Sequence, residues 1–201
     1  MSKKKLVGVA IVLALILLIG GMIAYFTDTD TKTNVFTIGD DIKISLVEDN
    51  WNATNAAGIH PGAKVAKDPV VKNDSTTTPA YVFLEVVMPC YVDNDTQKPL
   101  YKLLNSANQE GVNSGWTLIK TTHNTSAKTV TYVFAYGTDA AMTELAATAS
   151  TVALFNNVQL DPNLTAAQKT TTSTTDIVVN AYGIQKDGFE TTAPVTVFGN
   201  F

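Results

Sequence analysis

Arginine is absent from all 201 residues, and cysteine, histidine and tryptophan number only one, two and two. Bidentate reading of phosphate or guanine leans on the guanidinium fork. A chain without that fork, carrying 18 acids against 14 lysines, is a poor candidate for nucleic acid. The lone cysteine, Cys90, excludes an intramolecular disulfide. It reads as a small buried apolar group in a strand, with an intermolecular crosslink as the sharper alternative. His60 and His123 stand far apart, with no His-Glu-x-x-His helix and no Cys/His ligand spacing. No Gly-x-Ser-x-Gly elbow is present, and no pair of acids stands out for acid/base work. No catalytic, metal-binding or cofactor-binding residue is therefore assigned, and an enzyme is not expected.

One long apolar run is present. Lys3, Lys4 and Lys5 form a basic start, and residues 6–23 then carry no charge. A positive segment, an apolar segment and a small residue make a secretory signal. Eighteen residues would also suffice for a retained membrane helix. Gly8, Gly20 and Gly21, the switch to polar Thr and Asp after Phe26, and the lack of a following Lys cluster favour cleavage. The expected cut separates Ala24 from Tyr25. It leaves 177 residues with eleven lysines and eighteen acids, a side-chain charge of −7. That acidity favours solubility and repulsion from anionic surfaces.

The rest of the chain is rich in Thr, Val, Asn and Tyr, with Gly, Pro, Asn and Asp at its turns, which favours strands. Strands are expected at residues 33–38 and 42–47, where Ile42, Ile44 and Leu46 share one face. A loop over 51–62 closes on Pro61-Gly62. Residues 64–73 follow as a strand, placed at the periphery because Pro69 has no donor. Residues 80–88 form the most continuous apolar strand, which Pro89 ends or kinks. Residues 99–115 look irregular, with a short helical turn over 100–104. Strands at 116–121 and 128–136 form a hairpin through Asn124-Thr125-Ser126. An Ala-rich helix over 138–149, a strand at 151–160, a helical turn at 163–168 and a last strand at 176–185 complete the series. About eight strands spaced by turns suit a two-sheet antiparallel β-sandwich with one or two short helices.

Three blocks carry a family resemblance. The first is the KKK start, the Gly-Gly pair, Ala24-Tyr25-Phe26-Thr27-Asp28, then Asn34-x-Phe36-x-x-Gly39 and the alternating residues 41–47. The second is Ile59-His60-Pro61-Gly62, Lys67-Asp68-Pro69-Val70-Val71-Lys72-Asn73 and Pro79-Ala80-Tyr81-Val82. The third is Ala153-Leu154-Phe155 to Val158, then IVVNAYGIQKDGF from Ile177. Together they resemble the TasA/camelysin family of Gram-positive exported proteins over about half the chain. Residues 89–138 do not match, and the tail from Ala193 lacks the tryptophan expected there.

The resemblance implies a jelly-roll-like sandwich, processing by a SipW-class signal peptidase, and a secreted, matrix or cell-surface location. It divides the chain into a signal peptide (1–24), an extended N-terminal segment (25–38) and one sandwich domain (39–201). It further implies a subunit of extracellular fibres or biofilm matrix that assembles head-to-tail with itself. Donor-strand exchange would use Tyr25, Phe26, Val35, Phe36 and Ile38 as anchors. A minor anchoring or assembly subunit is a further partner that the resemblance admits. The membrane enters only through the signal peptide. Alternatively, residues 34–38 are simply the first strand of their own domain. Other readings are a monomeric adhesin with Trp51, Trp116, Tyr91 and Tyr101 as stacking platforms, and a camelysin-like metalloprotease using His60 and His123. A pilin cut ahead of its helix is disfavoured, because no acid precedes Asp28.

Overall fold

The computed structural model describes residues 42–201. The strand expected at 33–38 lies outside them. Ten strands and two short helices follow: β1 (Ile44–Val47), β2 (Lys64–Ala66), β3 (Val70–Asn73), β4 (Ala80–Asp93), β5 (Thr96–Pro99), β6 (Tyr101–Leu104), β7 (Trp116–Asn124), β8 (Thr129–Tyr136), β9 (Asn157–Leu160), α1 (Ala166–Lys169), β10 (Val178–Gln185) and α2 (Pro194–Phe198). The chain is mainly β, and every strand pairing is antiparallel. Among the described residues no helix is long and apolar enough to cross a membrane.

One layer has the order β10-β4-β8-β7, with β5 on the far end of β4. The facing layer holds a β1-β3 pair and a β2-β9-β6 sheet. Backbone hydrogen bonds join these two sheets. Lys67 N–H donates to Asn156 at 3.2 Å, Leu154 N–H to Pro69 at 2.9 Å, Thr151 N–H to Val71 at 2.9 Å and Asn73 N–H to Ala149 at 2.9 Å. Residues 64–73 and 149–159 therefore run side by side as one irregular antiparallel ladder.

That ladder corrects the reading of 64–73 as peripheral for residues 70–73, while β2 is the end strand of its sheet as expected. Residues 70–73 lie between β1 and residues 149–151. Pro69 falls at the break between β2 and β3, where only its carbonyl is used, so the missing donor costs no ladder bond. Pro89 behaves alike. It neither ends nor interrupts β4, which runs for 14 residues. Cys90 N–H donates to Lys128 on the β8 side, while the Pro89 carbonyl accepts from Leu100 on the β5 side. The absent N–H of Pro89 thus faces the gap between Val87, the last β4 residue paired to β10, and Cys90, the first paired to β5.

Two helices expected from local composition are not formed. Residues 101–104 are β6, drawn into a strand by pairing with β9 from Tyr101↔Leu160 to Leu104↔Asn157. Within 138–149, Leu145 is 3% exposed and exchanges both backbone bonds with Ala80, at 2.9 and 3.0 Å. Burial of that leucine outweighs alanine's helix propensity. The strand expected over 151–160 is regular only at β9, and α2 was not anticipated.

Between the layers lies the main core, with Val65, Val71, Val82, Leu84, Val86, Met88, Val130, Phe134, Phe155 and Val158 buried. Ile42, Ile44 and Leu46 pack on it together, as their period-2 spacing requires. On the opposite face of the large sheet, Phe83 and Ala135 are covered by Val197 and Phe198 of α2.

Candidate functional site

An antiparallel sandwich presents unpaired N–H and C=O groups wherever a sheet ends, and proteins blunt such edges with bulges, lysines or covering loops. β7 is blunted in two of these ways. Its register with β8 shifts between Leu118 and Lys120, so Ile119 is an inserted residue, and Lys120 sits in the strand. A bulge of this kind bends an edge strand and disrupts further pairing. β6 is covered by its own loop: Gly111 N–H donates to Leu103 at 2.9 Å. Asn113 Nδ2 pins that loop to the Ala153 carbonyl and to Asn156 Oδ1, both at 2.8 Å.

β10 differs from both. It pairs with β4 in unbroken register over eight residues, Val178↔Val87 to Gln185↔Ala80. Its sequence VVNAYGIQ holds no proline, lysine or bulge. Among the described residues β4 is its one strand neighbour.

Both faces of β10 are fixed. Ile177, Val179 and Ala181 point to the main core, and Tyr182 and Ile184 point to the α2 side. The Tyr182 ring lies 5.4 Å from Phe198 and 5.2 Å from Phe201. Its hydroxyl donates to Glu85 Oε1 at 3.3 Å, and Asn180 Nδ2 donates to the same oxygen at 2.9 Å. Burial, and then the Glu85 charge, hold the Tyr182 phenol above its usual range. Among the described residues no strand pairs with the other edge of β10. β1, the other strand with one neighbour on this side, packs over β10 at Gly183.

Ala24, Tyr25, Phe26, Val35, Phe36 and Ile38 lie outside the described residues. His60 and His123 are both exposed, His60 in the turn before Pro61-Gly62 and His123 on β7 opposite Val130. The structure does not bring them together with other ligands. No group of three or more His, Cys, Asp or Glu that could hold a metal ion occurs among the described residues. Cys90 is 1% exposed in β4, its thiol pushed up by burial.

Sequence reasoning missed a polar frame beside β2. Lys67 and Asp68 are both buried, at 7% and 8% exposure. Lys67 Nζ contacts both Glu48 oxygens at 2.7 and 2.8 Å. Asp68 accepts from Asn50 N–H at 3.0 Å and from Asn50 Nδ2 at 2.6 Å. The available signal was the charged pair Lys67-Asp68 set between the apolar residues Val65-Ala66 and Val70-Val71, since buried charges need partners.

A mainly β, antiparallel chain with an open sheet edge defines a class rather than an activity. Residues 1–99, just under half of the chain, match the family model described as camelysin metallo-endopeptidase. That match supports a likeness to TasA/camelysin proteins, which are in general extracellular or on the cell surface. No curated protein and no solved structure matches the chain. The word metallo-endopeptidase implies a bound metal, and the described residues do not supply a ligand set that fits one.

Proposed function

We propose that the protein is a non-enzymatic structural subunit of extracellular fibres or a surface matrix, released by a SipW-class signal peptidase between Ala24 and Tyr25. The mature N-terminal segment, residues 25–38, serves as a donor strand for the next copy. The observation that carries this reading is the edge of β10. It is long, regular and free of the devices that blunt β6 and β7, and an extended segment satisfies such an edge by β-augmentation. A donor on one surface and an acceptor on another make a head-to-tail contact, which propagates as an open filament.

The segment suits the role. It is proline-free and Thr-rich, and it carries Tyr25, Phe26, Val35, Phe36 and Ile38 as apolar anchors. Cleavage then controls assembly, because the donor stays joined to the apolar run until it is cut.

Ile42 already lies beside β10, with its Cγ2 3.3 Å from where a Cβ on Gly183 would stand. Ile38 is four residues earlier, within about 14 Å of extended chain. The same edge is therefore in reach of the chain's own residues 34–38, which is the competing intramolecular use. Deleting residues 25–33 separates the two. The donor reading expects a folded monomer and no fibres by electron microscopy. Fibres unchanged by the deletion overturn it.

A further inference from the structure

Of the four aromatic side chains with stacking potential, Trp116 and Tyr91 are buried, at 5% and 2% exposure. Trp51 and Tyr101 instead meet at one surface cavity of about 370 Å³, with Ile59, Val65 and Val158 among its apolar walls and Asp176 on its polar side. Trp51 remains 41% exposed, yet its ring is held. Lys67 Nζ lies over it, 4.9 Å from the ring centroid. Glu48 grips that ammonium through both oxygens, and the Asn50–Asp68 pair fixes the residue just before Trp51. An indole displayed at the surface and locked by a buried ion pair is a preformed apolar platform, since little side-chain freedom remains to be lost on binding.

The polar groups narrow what can sit there. The Tyr101 hydroxyl is committed to the Thr175 carbonyl at 3.0 Å. Asp176 is exposed, and its carboxylate has no hydrogen bond or ion pair among the described residues. An anion gains nothing from Lys67, whose charge Glu48 already neutralises, and it is repelled by Asp176. A quaternary ammonium gains little from an indole whose π-electrons already hold the Lys67 ammonium on one face. A wholly apolar ligand would desolvate the Asp176 carboxylate without a partner. A neutral ligand with one apolar face and several hydroxyls meets every condition. The cavity lies at the small end of ligand pockets, roughly 300–1,000 Å³, and so admits a short stretch of chain.

We propose that the cavity between Trp51, Tyr101 and Asp176 binds a neutral hexopyranose glycan, its C–H face on the indole face that Lys67 leaves open and its hydroxyls donating to Asp176. This site adjoins the start of β10 at Asp176 and Ile177, but its binding of a free sugar does not rest on fibre assembly.

The test is ligand-observed saturation-transfer NMR on the purified protein, with chitotriose and cellotriose as probes. The expected result is saturable, millimolar-range binding of at least one trisaccharide. It should weaken by about tenfold or more in Trp51→Ala and in Asp176→Asn, and stay unchanged in the remote variant His123→Ala. Asp176 is exposed, so circular dichroism and the unfolding midpoint of Asp176→Asn should match the parent, and that variant keeps the test readable if Trp51→Ala lowers the midpoint. Binding of neither sugar overturns the proposal, as does binding that survives both substitutions.

Discussion

The Cγ2 atom of Ile44 stands 2.9 Å from the point where a Cβ on Gly183 would lie. The first described strand therefore seats on the last one only because residue 183 has no side chain. Gly183→Ala should destabilise the protein by about 1–2 kcal/mol through overpacking, read as a lower denaturant midpoint at unchanged slope. Adding Ile44→Ala should recover part of the loss, since the two sites touch and couple. Full additivity of the two variants would mean that β1 does not rest on Gly183.

The Lys67–Glu48 pair makes a second prediction. Their side chains are only 9% and 19% exposed, so removing one partner leaves a charge with little solvent. Lys67→Met alone should cost about 3 kcal/mol, whereas the double variant with Glu48→Leu should regain most of it. Equal losses in the single and the double variant would show that packing, not the stranded charge, sets the cost.

Alkaline pH should unfold the protein in a defined window. Tyr91 is buried, and its hydroxyl donates to Asp161 Oδ2 at 2.8 Å. Burial and then the Asp161 bond push its phenol from 10.0 up to about 12. The unfolded chain ionises first, so the folded state holds more protons between these values. Stability is full below 10.0 and is lost as pH rises toward about 12. Tyr91→Phe should flatten this loss in urea midpoints measured across that range. An unchanged slope would contradict the assignment.

What the sequence reveals about this fold depends on whether local pattern and tertiary pairing agree. Ile42, Ile44 and Leu46 alternate because one face is buried, and Val179 and Ala181 do the same in β10. The hairpin of β7 and β8 follows from its polar Asn-Thr-Ser connection. Residues 100–104 and 138–149 mislead because their helix-favouring composition yields to distant partners, Leu160 for Tyr101 and Ala80 for Leu145. Such long-range bonds leave no local trace. The open edge of β10 is half legible: its lack of lysine and proline is visible in VVNAYGIQ, but its place at the end of a sheet is not. The cavity beside Trp51 is less legible still, because Trp51, Tyr101 and Asp176 are far apart in sequence and meet only through folding.

Processing followed by polymerisation is the central claim, and N-terminal sequencing of the protein from culture medium, after separation by size, tests it most directly. The account predicts a start at Tyr25 in high-mass assemblies. An intact Met1 on membrane-bound monomer would contradict it and would describe an anchored surface domain instead.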